Sequence, residues 1–253
     1  MLFRQAPSPA LAISQPAHAW ISGQLLRAWA GDVDEALQLA AEQHDIGWLD
    51  WEADPGFDPR TGRPYLFRDV GAAIHAPMWR RGVERALAAW GTRVALLISR
   101  HGGVIYRRFT DRHRLSQADA DAATRYLETQ APVEAAWTQA LGLEPAALQR
   151  DTLLLACVDS LSLGLCGELA VPLDVAAPDP DGGIRQLRLQ AQSADGSRFT
   201  LSPWPFRAAE IVVVAEARPL PAAGRFEDAD AMRSWLAVPG RVPLRIRLTR
   251  PET

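Results

Sequence analysis

The chain has 253 residues, 48% hydrophobic and 23% charged, which suits a globular protein with ample buried core. Its net charge of −3 leaves no basic footprint and argues against a nucleic-acid partner. All 27 basic residues are arginine, which excludes lysine Schiff-base chemistry and a lysine-based phosphate loop.

The opening run, "MLFRQAPSPALAIS", lacks the apolar centre of a signal peptide and leads into a helical pattern. Ser14 caps a first helix through "QPAHAWISGQLLRAWA", with Pro16 in its first turn and Gly31 as its stop. Asp32 opens a second helix, Glu35 following at capping-box spacing. It runs to "EQHDIGW", where Gly47 ends the helix and turns the chain away. A long Pro-, Gly- and Asp-rich segment, "WEADPGFDPRTGRPYLFRDVG", reads as a functional loop roofing whatever lies at that helix end. Pro77 starts a third helix stopped by Gly91, and Thr92 caps a fourth that ends at Gly102 and Gly103. Ser116 with Asp119 begins a polar helix that resumes after Pro132. The last strong helix, from about Pro145 to Cys166, is almost wholly apolar in its second half and reads as the buried central one.

After Pro172 the pattern alternates. "IRQLRLQAQ" and "RFTLS", joined by "SADGS", read as a hairpin, "EIVVVAEARPL" and "VPLRIRLTR" as further strands, and "FEDADAMRSWLAV" as a short amphipathic helix. The expectation is therefore a mainly α protein. Residues 1–172 form its helical domain, and 173–253 form a small β-rich extension packed on it. In a helix, Cys157 and Cys166 stand about 13 Å apart. A disulfide needs roughly 4.4–6.8 Å between Cα atoms, so no bridge is expected. With no apolar run long enough to span a bilayer, the chain reads as cytoplasmic, without a membrane partner.

The five histidines are His18, His44, His75, His101 and His113. Four fall on or beside successive helices, and Asp45 follows His44 directly. Asp159 lies in the apolar stretch of the last helix, with no basic residue between Arg150 and Arg185 to neutralise it. Burying that carboxylate is costly unless a cation sits beside it.

The order His18, His44-Asp45, His75, His101, Asp159 resembles the ligand pattern of HD-domain metalloproteins with two metals. Within that superfamily, "ISQPAHAWISGQL", "QHDIGWLDW", "LISRHGG" and "VDSLSLGLCG" are similar to a bacterial family, domain of unknown function 3891. The resemblance extends over nearly the whole chain, including "PWPF". It implies an HD-type helical bundle in which His18, His44 and Asp159 hold one metal, His75 and His101 a second, and Asp45 bridges them. Imidazole and carboxylate suit iron, manganese or zinc. The Gly-Tyr-Pro motif of the cyclic-dinucleotide branch is absent, so that substrate is not assigned.

Against this stand plainer readings. A single buried histidine is more often a satisfied core residue than a ligand, and Asp159 also suits a helix-to-helix hydrogen bond. His113, in "TDRHRL", reads as solvated surface, and Trp20 and Trp51 as packing. Trp48, Asp50, Arg100 and Ser162 are candidates to line a substrate pocket, Arg100 equally suiting a surface salt bridge. Ser162 shares the helical face of Asp159, whereas Ser160 does not. The leading expectation is a dinuclear metal-dependent hydrolase of a small phosphate ester or nucleotide. The alternatives are a diiron oxygenase of a small polar substrate and a metal-binding sensor without turnover. Metal identity, substrate and oligomeric state stay open.

Overall fold

The structure, a computed structural model, describes residues 1–5, 9–109, 115–179 and 181–252; His113 lies outside them. Two short strands open the chain, β1 (Leu2–Arg4) and β2 (Leu11–Ile13). Helices α1 (Gln15–Ala28), α2 (Glu35–Gln43) and α3 (Leu49–Ala53) follow, then the strands β3 (Phe57–Asp58) and β4 (Arg63–Pro64). The long helices are α4 (Ala72–Trp90), α5 (Thr92–Val104), α6 (Gln117–Ala140) and α7 (Pro145–Leu165). Strands β5 (Leu173–Pro178), β6 (Ile184–Ala191), β7 (Arg198–Ser202) and β8 (Glu210–Pro219) come next, then α8 (Ala229–Ala237) and β9 (Val242–Thr249).

The expected mainly α bundle with a small β extension is overturned by the sheet. Seven strands, in the order β1-β2-β8-β9-β7-β6-β5, form one curled layer that is antiparallel except between β7 and β9. Its first two strands come from the N-terminal end, where the helical reading saw only a lead-in. Each has three buried residues, too few for any periodicity to show. Inward-facing Leu187, Leu189, Val213, Ala215, Leu244 and Ile246 share a single hydrophobic core with Leu25 and Leu26 of α1 and Leu154, Leu155, Leu161 and Leu165 of α7. The sheet is thus one wall of the core. Gln24 of α1 closes its exposed flank: Nε2 donates to the Val214 carbonyl at 2.7 Å, and the Val214 amide donates to Oε1 at 2.9 Å. The carboxamide occupies the place of a neighbouring strand.

Several helix boundaries differ from the sequence reading, for identifiable reasons. Ser14 does cap α1, its hydroxyl accepting from the Ala17 amide at 3.2 Å, but that helix stops at Ala28, before Gly31. The cap of α2 is Asp34, whose carboxylate accepts from the Leu37 amide at 2.8 Å, so Asp32 lies outside the helix. Thr92 is the first residue of α5 after Gly91, not its cap. Helix α4 starts at Ala72, leaving Pro77 inside it. Its N-terminus is satisfied from a distance: the Ala73 amide donates to Asp119 of α6 at 2.8 Å. No local pattern announces a cap supplied 46 residues away.

Helix α7 is buried along one flank from Leu148 to Leu165. Arg4, buried at its far end, donates to the Leu165 carbonyl at 2.9 Å and to the Asp195 carbonyl at 3.0 Å, tying β1 to α7 and to the β6–β7 turn. Cys157 and Cys166 are both free and buried. Among the described residues, no helix is long and apolar enough to cross a membrane.

Candidate metal centre

Three helices meet where α1, the end of α2 and the middle of α7 pack together, with α5 closing the fourth side. His18 lies one turn into α1, on the same buried face as Ile21, Ser22 and Leu25. His44 follows the last residue of α2, and Asp45 precedes a 3₁₀ turn at Ile46–Trp48. His101 is in the last turn of α5, and Asp159 near the middle of α7. His18, His44, Asp45, His101 and Asp159 are each at most 9% exposed.

Asp159 is the hub. Its Oδ1 lies 3.4 Å from His44 Nε2 and 3.8 Å from His18 Nε2, and its Oδ2 lies 3.5 Å from His101 Nε2. Asp45 Oδ2 stands 2.7 Å from His18 Nε2 and 3.6 Å from His44 Nε2. One donor atom from each of His18, His44 and Asp159 falls within 4.8 Å of the others, a spacing that fits a single ion. His44 Nε2 and both ring nitrogens of His101 are buried without a hydrogen-bond partner. Orphaned buried nitrogens are costly, and here the Nε2 atoms of His44 and His101 both face the Asp159 carboxylate. The donor set passes the chemical test for a transition-metal ion: two or three imidazoles and one or two carboxylates, shielded from bulk water.

Two of the imidazoles are held from behind. His44 Nδ1 donates to the Ala41 carbonyl at 2.9 Å, so its Nε2 is the atom turned to the centre. His18 Nδ1 meets Ser162 Oγ at 2.7 Å. Burial disfavours charge on His44, but Asp45 and Asp159 outweigh it and raise the imidazole to about 9. Burial likewise pushes the Asp159 carboxyl up, yet His44 and the other nearby imidazoles reverse this and hold it well below the carboxylate range. At His101 burial prevails, and the ring is pushed down to about 4.

His75, the other expected ligand, has a different setting. It stacks between Trp48, at 6.2 Å between ring centroids, and Tyr106, at 5.4 Å, and its Nδ1 shares a 2.7 Å hydrogen bond with the Tyr106 hydroxyl. Burial pushes its pKa down to about 4. Nothing in the sequence pointed to Tyr106, which sits in a π-helical turn at Ile105–Phe109.

The four candidate substrate contacts divide. Trp48 is buried against His75. Asp50 pairs with Arg85 at 2.8 Å on the surface. Arg100 donates to Thr152 Oγ1 at 3.0 Å and to Gln149 Oε1 at 3.4 Å along α7. Ser162 supports His18, and behind it Ser22 donates to Ser162 Oγ at 3.0 Å. The sequence reading does not single out Ser22, although its spacing of four from His18 puts both on one helical face. Gly47 also has a role other than the expected one. The chain continues directly into the 3₁₀ turn and α3, and the missing side chain makes room for α4, since a Cβ at Gly47 would overlap the Met78 carbonyl.

The fold and centre together define a mixed α/β protein with a candidate histidine–carboxylate metal centre enclosed by its helices. Residues 1–222 match the family described as "Protein of unknown function (DUF3891)", and the chain belongs to that family. No curated protein and no solved structure matches it significantly.

Proposed function

We propose that this protein is a metal-dependent hydrolase of the HD kind, acting on a small phosphate ester or nucleotide with two divalent transition-metal ions, iron, manganese or zinc. His18, His44 and Asp159 would hold the first ion and His75 and His101 the second, with Asp45 shared. The observation that carries this reading is the convergence of the partnerless nitrogens of His44 and His101 on Asp159. Divalent ions held by these residues would supply Lewis acidity for activating water and offsetting charge on an ester oxygen. The chain contributes orientation: the Ala41 carbonyl and Ser162 fix two imidazoles, and burial keeps bulk water from competing. Trp48 and Tyr106 confine His75 between two aromatic faces.

The experiment is hydrolysis of an aryl phosphate by the manganese- or zinc-loaded protein under anaerobic conditions. We expect turnover that falls at least tenfold in His101→Ala, about 1.4 kcal/mol of barrier. One observation favours the oxygenase alternative: Arg100, the arginine beside His101, is engaged with Thr152 and Gln149 rather than turned to the centre. That reading expects no hydrolysis, and instead substrate-dependent oxygen uptake with a mixed-valent iron signal.

A further inference from the structure

Ser162 is fully buried, so every hydrogen bond its hydroxyl makes is to protein. It has one hydrogen and two lone pairs. The hydrogen goes to the Asp159 carbonyl at 2.8 Å, a group that only accepts. The Ser22 hydroxyl donates to the oxygen at 3.0 Å, and His18 Nδ1 lies on it at 2.7 Å. With that hydrogen directed to the Asp159 carbonyl, the Ser162 oxygen is placed to accept an N–H from His18 Nδ1. His18 Nε2 makes a 2.7 Å hydrogen bond to Asp45 Oδ2, which only accepts; an ion bound at Nε2 would replace that proton and leave the ring N–H on Nδ1, where Ser162 is placed to accept it.

We infer that Ser162 is a positioning residue of the metal centre: it holds His18 in the tautomer and ring orientation that turn the Nε2 lone pair to the ion. This rests on the reading of the centre proposed above and adds a residue that does not touch the ion. The helix makes the arrangement a unit. Ser162 stands three residues after Asp159 and is oriented by that residue's own carbonyl, so one segment of α7 supplies a ligand and also sets a ligand on α1. His44 reaches the same posture through the Ala41 carbonyl, which is available wherever a helix ends. Inside α1 the carbonyls are engaged in the helix, and a side chain from a neighbouring helix must do the work. Ser160 provides the contrast on the same helix, since its hydroxyl only bonds back to the Ala156 carbonyl at 2.9 Å.

The test measures Zn²⁺ and Co²⁺ affinity by competition with a chromogenic chelator, for the full chain and for Ser162→Ala and Ser160→Ala. Removing a group that orients a metal-bound histidine costs about 10–100-fold in affinity, so Ser162→Ala should bind Zn²⁺ at least tenfold more weakly. Ser160→Ala should bind as the unmodified chain does. A merely structural serine would lower the metal-free melting temperature without this effect. The Co²⁺ visible spectrum should change in Ser162→Ala and stay the same in Ser160→Ala. Equal affinities in the two variants overturn the inference, while the centre stands if the unmodified chain binds. Failure of the unmodified chain to bind either ion overturns the centre, and this inference with it. Should Ser162→Ala not fold, the long-range ¹H–¹⁵N spectrum of the Zn²⁺-loaded unmodified chain decides. A protonated Nδ1 on His18 is expected, and coordination through Nδ1 overturns the inference.

Discussion

Gly47 lies so close to the Met78 carbonyl that a methyl group on it would overlap that oxygen, and Gly82 approaches from the same side. The contact seats the 3₁₀ turn after His44-Asp45 directly on α4. A backbone carbonyl inside a helix cannot step aside as a side chain can. Gly47→Ala should therefore cost about 1–3 kcal/mol of stability, as overpacked cores do. Urea unfolding would measure it; an unchanged midpoint would show that α4 is not held at this distance.

Metal content separates ligand from bystander among the carboxylates. Asp159→Asn should lose most bound zinc or manganese after reconstitution, because Asp159 faces three imidazoles. Asp50→Asn should retain it, since Asp50 only meets Arg85 at the surface. Plasma emission on the two purified variants makes the comparison, and equal metal in both would place the ion elsewhere.

The flank of β8 depends on one side chain. Gln24→Ala leaves the Val214 amide and carbonyl without their partner, at a cost of about 1–3 kcal/mol for groups shielded from water. Amide exchange at Val214 should accelerate along with the loss of stability. Exchange as slow as in the unmodified chain would mean that water or another group already serves this edge.

Burial pushes both thiols up to about 12. The sign follows from the folded value lying above the unfolded one. Below about pH 9 folded and unfolded chains both keep their thiol protons, and stability is undiminished. Between pH 9 and 12 only the unfolded chain releases them, so stability should fall as pH rises through that window. Correspondingly, Cys157 and Cys166 should react with a disulfide reagent at pH 8 only after denaturant is added. Rapid titration of either thiol in the native protein would contradict their burial.

Local grammar made some elements legible and left others hidden. Ser14 and Pro145 mark real helix starts because their signals act within one turn. The start of α4 was hidden because its cap comes from Asp119, and β1 and β2 because three residues carry no period. With β5 also unread, the sequence reading held four strands of a seven-stranded layer and took them for a small extension. At the centre, residue type and order pointed to His18, His44, Asp45, His101 and Asp159, which the fold brings together. Spacing alone said nothing of the Tyr106 bond to His75, or of Ser162 facing an imidazole rather than a substrate. Those are relations between helices, and only packing creates them.

Helix α1 carries His18 and, two turns on, the Gln24 that waits for Val214, 190 residues further along the chain. At about 5–20 residues per second, a ribosome needs roughly 10–40 s to cover that distance. One of the first helices synthesised is thus among the last to find its final seat. Until β8 arrives, the flank of α1 that carries Gln24 lacks the partner it has in the finished fold.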